Sequence, residues 1–124
     1  MEKLAKRFGD FIKEIRKDRG ITLKDMSEYL EISLSLLSDI ENNRRKPFEK
    51  NELEMFAEKT GLSVEKKNEL FDLAARDKGE IPQDIEDIMM YSEVGDIARL
   101  ALRKTNNGEI TVEEWKKLIQ NKCK

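Results

Sequence analysis

The sequence predicts an all-α protein in which a five-helix domain precedes a short helical extension. Charged residues make up 40% of the 124 residues and aromatic residues only 6%, a composition typical of solvated helices and not of β-sheets. Apolar residues recur at helical spacing in one segment after another. Only two prolines and six glycines interrupt the chain, so we expect its helices to be joined by short loops.

The first helix is predicted over residues 3–18. Its apolar face follows the pattern i, i+4, i+7, i+8, i+11 and consists of Leu4, Phe8, Phe11, Ile12 and Ile15. Three cations precede Gly20, namely Arg16, Lys17 and Arg19. Because cations suit the negative end of the helix dipole, the helix is expected to end near this glycine.

Two short helices joined by a tight turn are predicted over residues 22–30 and 33–42. Thr22 and Ser33 stand at their beginnings as N-cap residues, and Asp25 occupies the capping-box position of the first helix. The residues expected to face inward are Leu23, Met26 and Leu30 in the first helix and Leu37 and Ile40 in the second. About three residues separate the helices, which is the length expected of a helix-turn-helix.

Cations follow the second of these helices. Asn42 and Asn43 end it, and Arg44, Arg45 and Lys46 come next. A polar-faced helix followed by a basic loop suits the major groove of duplex DNA and the phosphates beside it. The N-terminal 50 residues hold 12 Lys or Arg against 10 Asp or Glu, whereas the remainder holds 12 against 16. The positive excess therefore lies in the half that contains the predicted motif.

Two more helices complete a predicted domain over residues 1–78, and the extension covers residues 79–124. The fourth helix carries Leu53, Phe56 and Ala57; the fifth begins at Ser63 and directs Val64, Leu70, Leu73 and Ala74 inward. The boundary is expected within residues 77–84, where Gly79 and Pro82 interrupt the apolar spacing.

Three helices are predicted in the extension. The first contains Ile85, Ile88 and Met89; the second, over about residues 92–105, contains Val94, Ile97, Ala98 and Ala101; the third follows a capping box of Thr111 and Glu114 and directs Val112, Trp115, Leu118 and Ile119 inward. A segment of ~45 residues rarely folds without support. We therefore expect it to pack on the first domain or on a second subunit.

Several classes of function lack the residues that they need. The chain has no histidine, which removes most zinc sites and acid–base constellations. The single cysteine, Cys123, has neither a histidine partner for nucleophilic catalysis nor a second cysteine for a disulfide. No apolar run approaches the ~20 residues that span a bilayer. We expect a cytoplasmic protein that is not an enzyme, with no cofactor, metal or membrane contact.

The motif positions agree, in order, with one known family. They are Ile12, Arg16, Gly20, Ile21, Thr22, Met26, Leu30, Ile32, Ser33, Leu37, Ser38, Ile40, Glu41, Asn42, Arg44 and Pro47. Residues 8–75 thereby resemble the phage-repressor type of helix-turn-helix domain, the Xre family. The resemblance implies a five-helix domain that binds operator DNA, usually as a homodimer, and an ion pair between Arg16 and Glu41 that fixes the fold.

The resemblance also implies which residues face the DNA. Five lie on or beside the groove-facing side of the second motif helix, namely Ser33, Leu34, Ser35, Ser38 and Asp39. We expect Ser35 to bind a base edge or a phosphate, Leu34 to contact a thymine methyl and Asp39 to accept from a cytosine amino group. No Arg, Lys, Asn or Gln lies between residues 33 and 41, so DNA shape is expected to supply much of the specificity. A solvated helix face is the alternative interpretation.

Phosphate contacts are expected from both ends of the motif. They are Thr22 and Lys24 at its beginning and Asn42, Asn43, Arg44, Arg45 and Lys46 at its end. Capping of the helix is the alternative for the two asparagines, and a solvated basic loop is the alternative for the last three. The chain departs from the family at Leu23, where glutamine is common, and at Glu31, where glycine is frequent. The second departure predicts either a strained backbone at Glu31 or an altered turn.

Three functions fit these observations. The first is a transcriptional repressor of a phage or mobile-element operon that binds double-stranded DNA as a homodimer. The second is an antitoxin that represses its own operon and masks a toxin with the acidic extension. The third is a protein-interaction module that keeps the fold and has lost DNA binding. The run from Ile97 to Ile119 also resembles repressor tails, and some such repressors are encoded beside ImmA/IrrE-like metallopeptidases, which adds a possible partner.

Overall fold

The structure, a computed structural model, describes residues 6–122, and eight α-helices account for most of this range. They are α1 (Phe8–Asp18), α2 (Leu23–Leu30), α3 (Leu34–Glu41), α4 (Lys50–Thr60), α5 (Val64–Lys78), α6 (Gln83–Tyr91), α7 (Gly95–Asn106) and α8 (Val112–Lys122). The all-α prediction is confirmed. None of these helices is long and apolar enough to cross a membrane.

The chain divides into two units between Pro82 and Gln83, inside the stretch where the sequence loses its apolar spacing. The first unit contains α1–α5 and the second contains α6–α8. Cys123 lies outside the described residues.

The first unit closes around a core to which all five of its helices contribute. Its most completely buried side chains are Phe8, Ile12, Met26, Leu37, Phe48, Phe56, Leu70 and Leu73. The Phe48 ring meets the Phe8 ring edge-on at a centroid distance of 5.2 Å and lies 5.9 Å from the Phe56 ring. Each such side chain contributes about 1.5–3 kcal/mol when it leaves water, so this core is the main favourable term in folding.

Most residues predicted to face inward in this unit do so, but Val64 does not. Its exposed fraction is 74%, whereas Leu70, Leu73 and Ala74 on the same helix are buried. Helical residues turn by about 100° each, so six positions separate Val64 from Leu70 by about 240°. The inward prediction for Val64 is therefore wrong, because its position does not share the face of the others.

The start of α1 is set by a residue distant in sequence. The helix begins at Phe8, not at residue 3 as predicted, and Lys6 and Arg7 precede it; Leu4 lies outside the described residues. The Phe8 N–H donates to Asp77 Oδ2 at 2.9 Å. This carboxylate satisfies one of the N–H groups that a helix start leaves unpaired, and its charge suits the positive end of the dipole.

The turn between α2 and α3 places Glu31 in the left-handed region, with φ 59° and ψ 40°. The sequence predicted strain or an altered turn here, because glycine adopts this conformation more easily. Two backbone hydrogen bonds to the last carbonyls of α2 offset this strain. Glu31 N–H donates to Glu28 O at 3.2 Å, and Ile32 N–H donates to Ser27 O at 3.0 Å.

The second unit has almost no buried interior of its own. Among residues 83–121 only Gly95 is buried. It lies where α7 begins close to α6, since a Cβ there would lie 2.6 Å from Met89 O. Trp115 Nε1–H donates to Thr105 Oγ1 at 2.7 Å and links α8 to α7.

The residues predicted to face inward from α8 are mostly exposed. The Thr111–Glu114 capping box is confirmed, because Glu114 N–H donates to Thr111 Oγ1 at 3.2 Å and Thr111 N–H donates to Glu114 Oε1 at 3.0 Å. Trp115 is half-buried, but Val112, Leu118 and Ile119 are exposed. The inward prediction is wrong for these three in the single chain, since the described helices of this unit do not cover them.

Candidate DNA-binding surface

The helix α3 is fixed on one side and open on the other. Leu37 and Ile40 anchor it in the core, and Ser33 begins it because its Oγ accepts the Leu36 N–H at 3.0 Å. The opposite side consists of exposed or half-exposed residues, namely Leu34, Ser35, Ser38, Asp39 and Asn42. These include four of the five groove-facing residues that the resemblance implied. They form one continuous face because they lie three or four positions apart.

A buried ion pair holds the C-terminal end of α3 on α1. Arg16 Nε–H donates to Glu41 Oε2 at 2.7 Å, and Arg16 Nη2–H donates to Glu41 Oε1 at 3.0 Å. The two side chains are 9% and 4% exposed. Arg16 Nη1–H also donates to Ile21 O at 2.8 Å, just before α2. A bidentate pair of this kind has a fixed orientation, so it determines how α3 lies against α1 and the turn.

Asn43 fastens the beginning of the basic loop to α1. Its Oδ1 accepts the Gly9 N–H at 2.9 Å, and its Nδ2–H donates to Asp10 Oδ1 at 3.2 Å. Its φ of 60° is left-handed, a conformation that asparagine tolerates better than most residues. The sequence predicted either a helix cap or a contact with the DNA backbone for Asn43. In the structure both ends of its side-chain amide are engaged with α1, so the role that the geometry assigns is to position the loop.

The three cations of the basic loop project from an anchored segment. Arg44, Arg45 and Lys46 are exposed, whereas Pro47 and Phe48, which follow, are buried. The Asp39 carboxylate lies 3.9 Å from Arg44 Nη1, which offsets part of the repulsion that an acidic residue would meet beside phosphates. Because the loop is held by Asn43 at one end and Phe48 at the other, its cations stay beside the end of α3.

The start of α2 offers a smaller polar surface. Thr22 Oγ1 accepts the Asp25 N–H at 3.0 Å, and both Thr22 and Lys24 are exposed. A helix start of this kind attracts anions because unpaired N–H groups and the dipole act together. The first unit thus contains every residue that the sequence assigned to DNA.

Sequence reasoning missed three residues that build this surface. Gly9 lets α1 approach the end of α3, Asp77 caps α1, and Arg7 lines a groove with the basic loop. A glycine inside an apolar helical stripe is a signal of close packing, so Gly9 was open to prediction. Asp77 and Arg7 have no such signal, because each depends on which chain segments meet in the fold.

The comparison with protein-family models agrees with this geometry. The model of the helix-turn-helix domain family matches residues 9–75, more than half of the chain and nearly all of α1–α5. Comparisons with curated proteins and with solved structures gave no significant match. The chain therefore belongs to the helix-turn-helix domain family and carries that family's DNA-binding motif in α2 and α3.

Proposed function

We propose that this protein is a cytoplasmic, sequence-specific repressor of a phage or mobile-element operon, acting by occupancy of duplex DNA and without catalysis. The observation that carries the proposal is the exposed polar face of α3 beside three exposed consecutive cations, Arg44, Arg45 and Lys46. The order of the Xre-type positions from Ile12 to Pro47 supports the phage-repressor type.

In the proposed complex α3 enters the major groove and the basic loop contacts the flanking strand. Phosphate contacts supply most of the affinity, and the polar face of α3 supplies part of the sequence preference. Leu34 and Ser35 lie at the exposed start of the helix, where a recognition helix usually contacts base edges. Short side chains read fewer base atoms than arginine does, so DNA shape contributes as well.

The full chain is expected to bind the duplex upstream of its own gene more tightly than a scrambled duplex, with an affinity that falls as salt rises. Replacing Arg44 and Arg45 together by alanine is expected to weaken binding to both duplexes by at least about tenfold near 0.15 M salt. The slope of log affinity against log salt is expected to fall by about two, because two phosphate contacts are lost. Fluorescence anisotropy over a salt series measures both quantities.

The matched control replaces Lys66 and Lys67 by alanine, since these are also two adjacent exposed cations of the same unit but lie on α5. An equal loss in this control would mean that the effect is one of net charge and that the loop assignment is wrong.

Replacing Leu34 and Ser35 by alanine in parallel is expected to reduce the preference for the upstream duplex. An unchanged preference would remove the proposed reading face.

The proposal includes a homodimer joined through the second unit. Exposed apolar side chains follow one another along all three of its helices, including Ile88, Ile97, Leu100, Leu118 and Ile119. A surface of this kind marks an interaction site in a protein of this size. Charge favours a second copy, because α6 carries Asp84, Glu86 and Asp87 with no cation, while the last turn of α7 carries Arg103 and Lys104. A two-fold dimer would set the spacing of the two DNA half-sites.

Replacing Ile97 by aspartate is expected to convert the dimer into a monomer at micromolar concentration. Ile97 is 71% exposed, so the charge should not disturb the single chain, whereas it would be buried in a dimer. Analytical ultracentrifugation measures the change, and Val64→Asp, at an equally exposed valine of the first unit, is the control. A variant at Ile97 that sediments as the unchanged dimer contradicts the role given to this helix.

The same exposed helices favour one second candidate, an antitoxin that represses its own operon while the second unit covers a toxin. In that case the purified complex would contain a second, different small protein in fixed ratio, and Ile97→Asp would release this protein. The ImmA/IrrE-like metallopeptidase would be tested in the same purification. An interaction module without DNA binding would leave every duplex unbound even at low salt.

A further inference from the structure

A groove of about 270 Å³ lies between the first turn of α1 and the basic loop. Its lining includes Arg7, Asn43, Arg44, Arg45, Lys46 and Asp77. Four of them are cations, and three belong to the loop already proposed to contact DNA. The fourth, Arg7, comes from the opposite wall. A groove of this volume has room for a phosphate group with part of its hydration.

We infer that this groove holds a phosphate of the DNA backbone and that Arg7 is a DNA-contacting residue on its outer wall. The inference rests on the proposed function and adds to it a contact from α1, outside the helix-turn-helix itself. The Arg7 side chain is 62% exposed, and its Nε lies 3.9 Å from Asp77 Oδ2, beyond hydrogen-bond distance. Its guanidinium is therefore accessible to an anion in the groove.

The Asp77 carboxylate does not cancel this positive charge. It is 11% exposed, its Oδ2 accepts the Phe8 N–H at 2.9 Å, and its Oδ1 lies 3.0 Å from Arg76 Nη2. The start of α1 and Arg76 thus already offset its charge. The groove is lined by four cations and one carboxylate that has its own partners, and Asp39 lies 3.9 Å from Arg44 without lining the groove. Four positive charges against these two carboxylates leave a net attraction for anions.

Asn43, which lines the groove, links the basic loop to α1. Asn43 accepts the Gly9 N–H and lies directly before the loop cations. A strand that runs along Arg44 and Arg45 therefore passes the start of α1, which Arg7 immediately precedes. Continuity with the basic loop is what favours a DNA phosphate over a separate small anion as the occupant.

Lys6 provides a contrast one position away. It does not line the groove, and its ammonium forms a hydrogen-bonded ion pair with Glu14. The hydrogen bond raises the pKa of Lys6 and lowers the pKa of Glu14. Lys6 and Arg7 thus carry the same charge at neighbouring positions, but only Arg7 is directed toward the groove.

The test uses the full chain and a duplex that the wild-type protein selects from a random-sequence library, with a scrambled duplex beside it. Arg7→Ala is expected to weaken binding to both duplexes about fivefold and to lower the salt slope by about one, as the loss of one phosphate contact requires. Lys6→Ala is expected to change either affinity by less than about twofold. Arg7→Lys should retain the slope, because a lysine also neutralises one phosphate. Urea unfolding, expected to be unchanged in Arg7→Ala, excludes a folding defect.

The outcomes distinguish a failure of this inference from a failure of the proposed function. Equal effects of Arg7→Ala and Lys6→Ala would indicate general charge and overturn the groove. An unchanged affinity in Arg7→Ala, while the Arg44 and Arg45 double variant still loses binding, would overturn the groove and leave the repressor proposal standing. A loss confined to the selected duplex would make Arg7 a base reader and contradict the phosphate assignment. A wild-type chain that binds no duplex would overturn both.

Discussion

Replacing Glu41 by alanine is expected to lower the free energy of unfolding of the first unit by about 3–5 kcal/mol, because breaking one side of a buried ion pair leaves the other charge uncompensated. Of the hydrogen bonds that Arg16 forms within residues 6–122, it would keep the one to Ile21 O, and it would remain almost fully buried beside α3. Domains of this size are stable by about 5–15 kcal/mol, so the loss is a large share of the total. Urea denaturation followed by far-ultraviolet circular dichroism measures it.

Two control variants decide whether charge is the cause. Arg16→Met combined with Glu41→Leu removes both charges at similar volume and is expected to recover most of the loss, since well-packed apolar residues often replace a buried pair without cost. Glu69→Ala removes one partner of the exposed Lys66–Glu69 pair and is expected to change stability by no more than about 0.5 kcal/mol. A double variant as unstable as Glu41→Ala alone would contradict the ion-pair explanation and indicate shape as the cause.

Periodicity was sufficient to predict the five helices of the first unit. Each helix buries one apolar stripe, and a stripe is a property of residues three or four positions apart. The caps at Thr22, Ser33 and Thr111 are equally local, because each side chain bonds a backbone N–H three positions on. The Arg16–Glu41 pair is not local. It was predicted from the resemblance to the Xre family, because no spacing rule connects residues 25 positions apart.

The parts that the sequence did not predict depend on segments that meet only in the fold. Phe48 is a core residue although it lies in the loop before α4, where no helical stripe marks it. Asp77 caps α1 from 69 positions away, and Asn43 bonds Gly9 from 34 positions away. These contacts position the basic loop, so the placement of the candidate site depended on information that spacing does not contain. In the second unit the apolar stripes of the helices were predicted from spacing. Spacing within one helix does not identify the surface that covers its stripe, so their exposure was not predicted.

Replacing Gly9 by alanine is expected to lower the free energy of unfolding by about 2–3 kcal/mol, as overpacking of a close contact does. A Cβ at this position would lie 2.4 Å from Ile40 O, 2.5 Å from Asn43 Oδ1 and 2.6 Å from Glu41 O. Two of these atoms are backbone carbonyls at the end of α3, which no rotamer change can move aside. Since nonbonded atoms prefer about 3.5–4.0 Å, α1 and α3 would have to separate by about 1 Å.

The higher helix propensity of alanine opposes the steric cost of this substitution. Alanine is favoured over glycine inside a helix by up to about 1 kcal/mol, and the gain is smaller here because Gly9 is the second residue of α1. Overpacking a close contact costs about 1–3 kcal/mol, sometimes more. Separation of the helices would also stretch the Gly9–Asn43 hydrogen bond and the Arg16–Glu41 pair, which span the same interface. The steric cost therefore exceeds the gain in helix propensity.

Urea denaturation of Gly9→Ala measures the loss, and Lys17→Ala, an exposed substitution on the same helix, is expected to stay within about 0.5 kcal/mol of wild type. A gain in stability would mean that α1 and α3 part without cost and that Asn43 does not depend on their contact. DNA affinity should fall in the folded fraction of Gly9→Ala as well, because the displaced Asn43 no longer fixes the cations that follow it. Affinity equal to that of wild type would show that the loop finds the phosphates without this anchor, and would confine the role of Gly9 to stability.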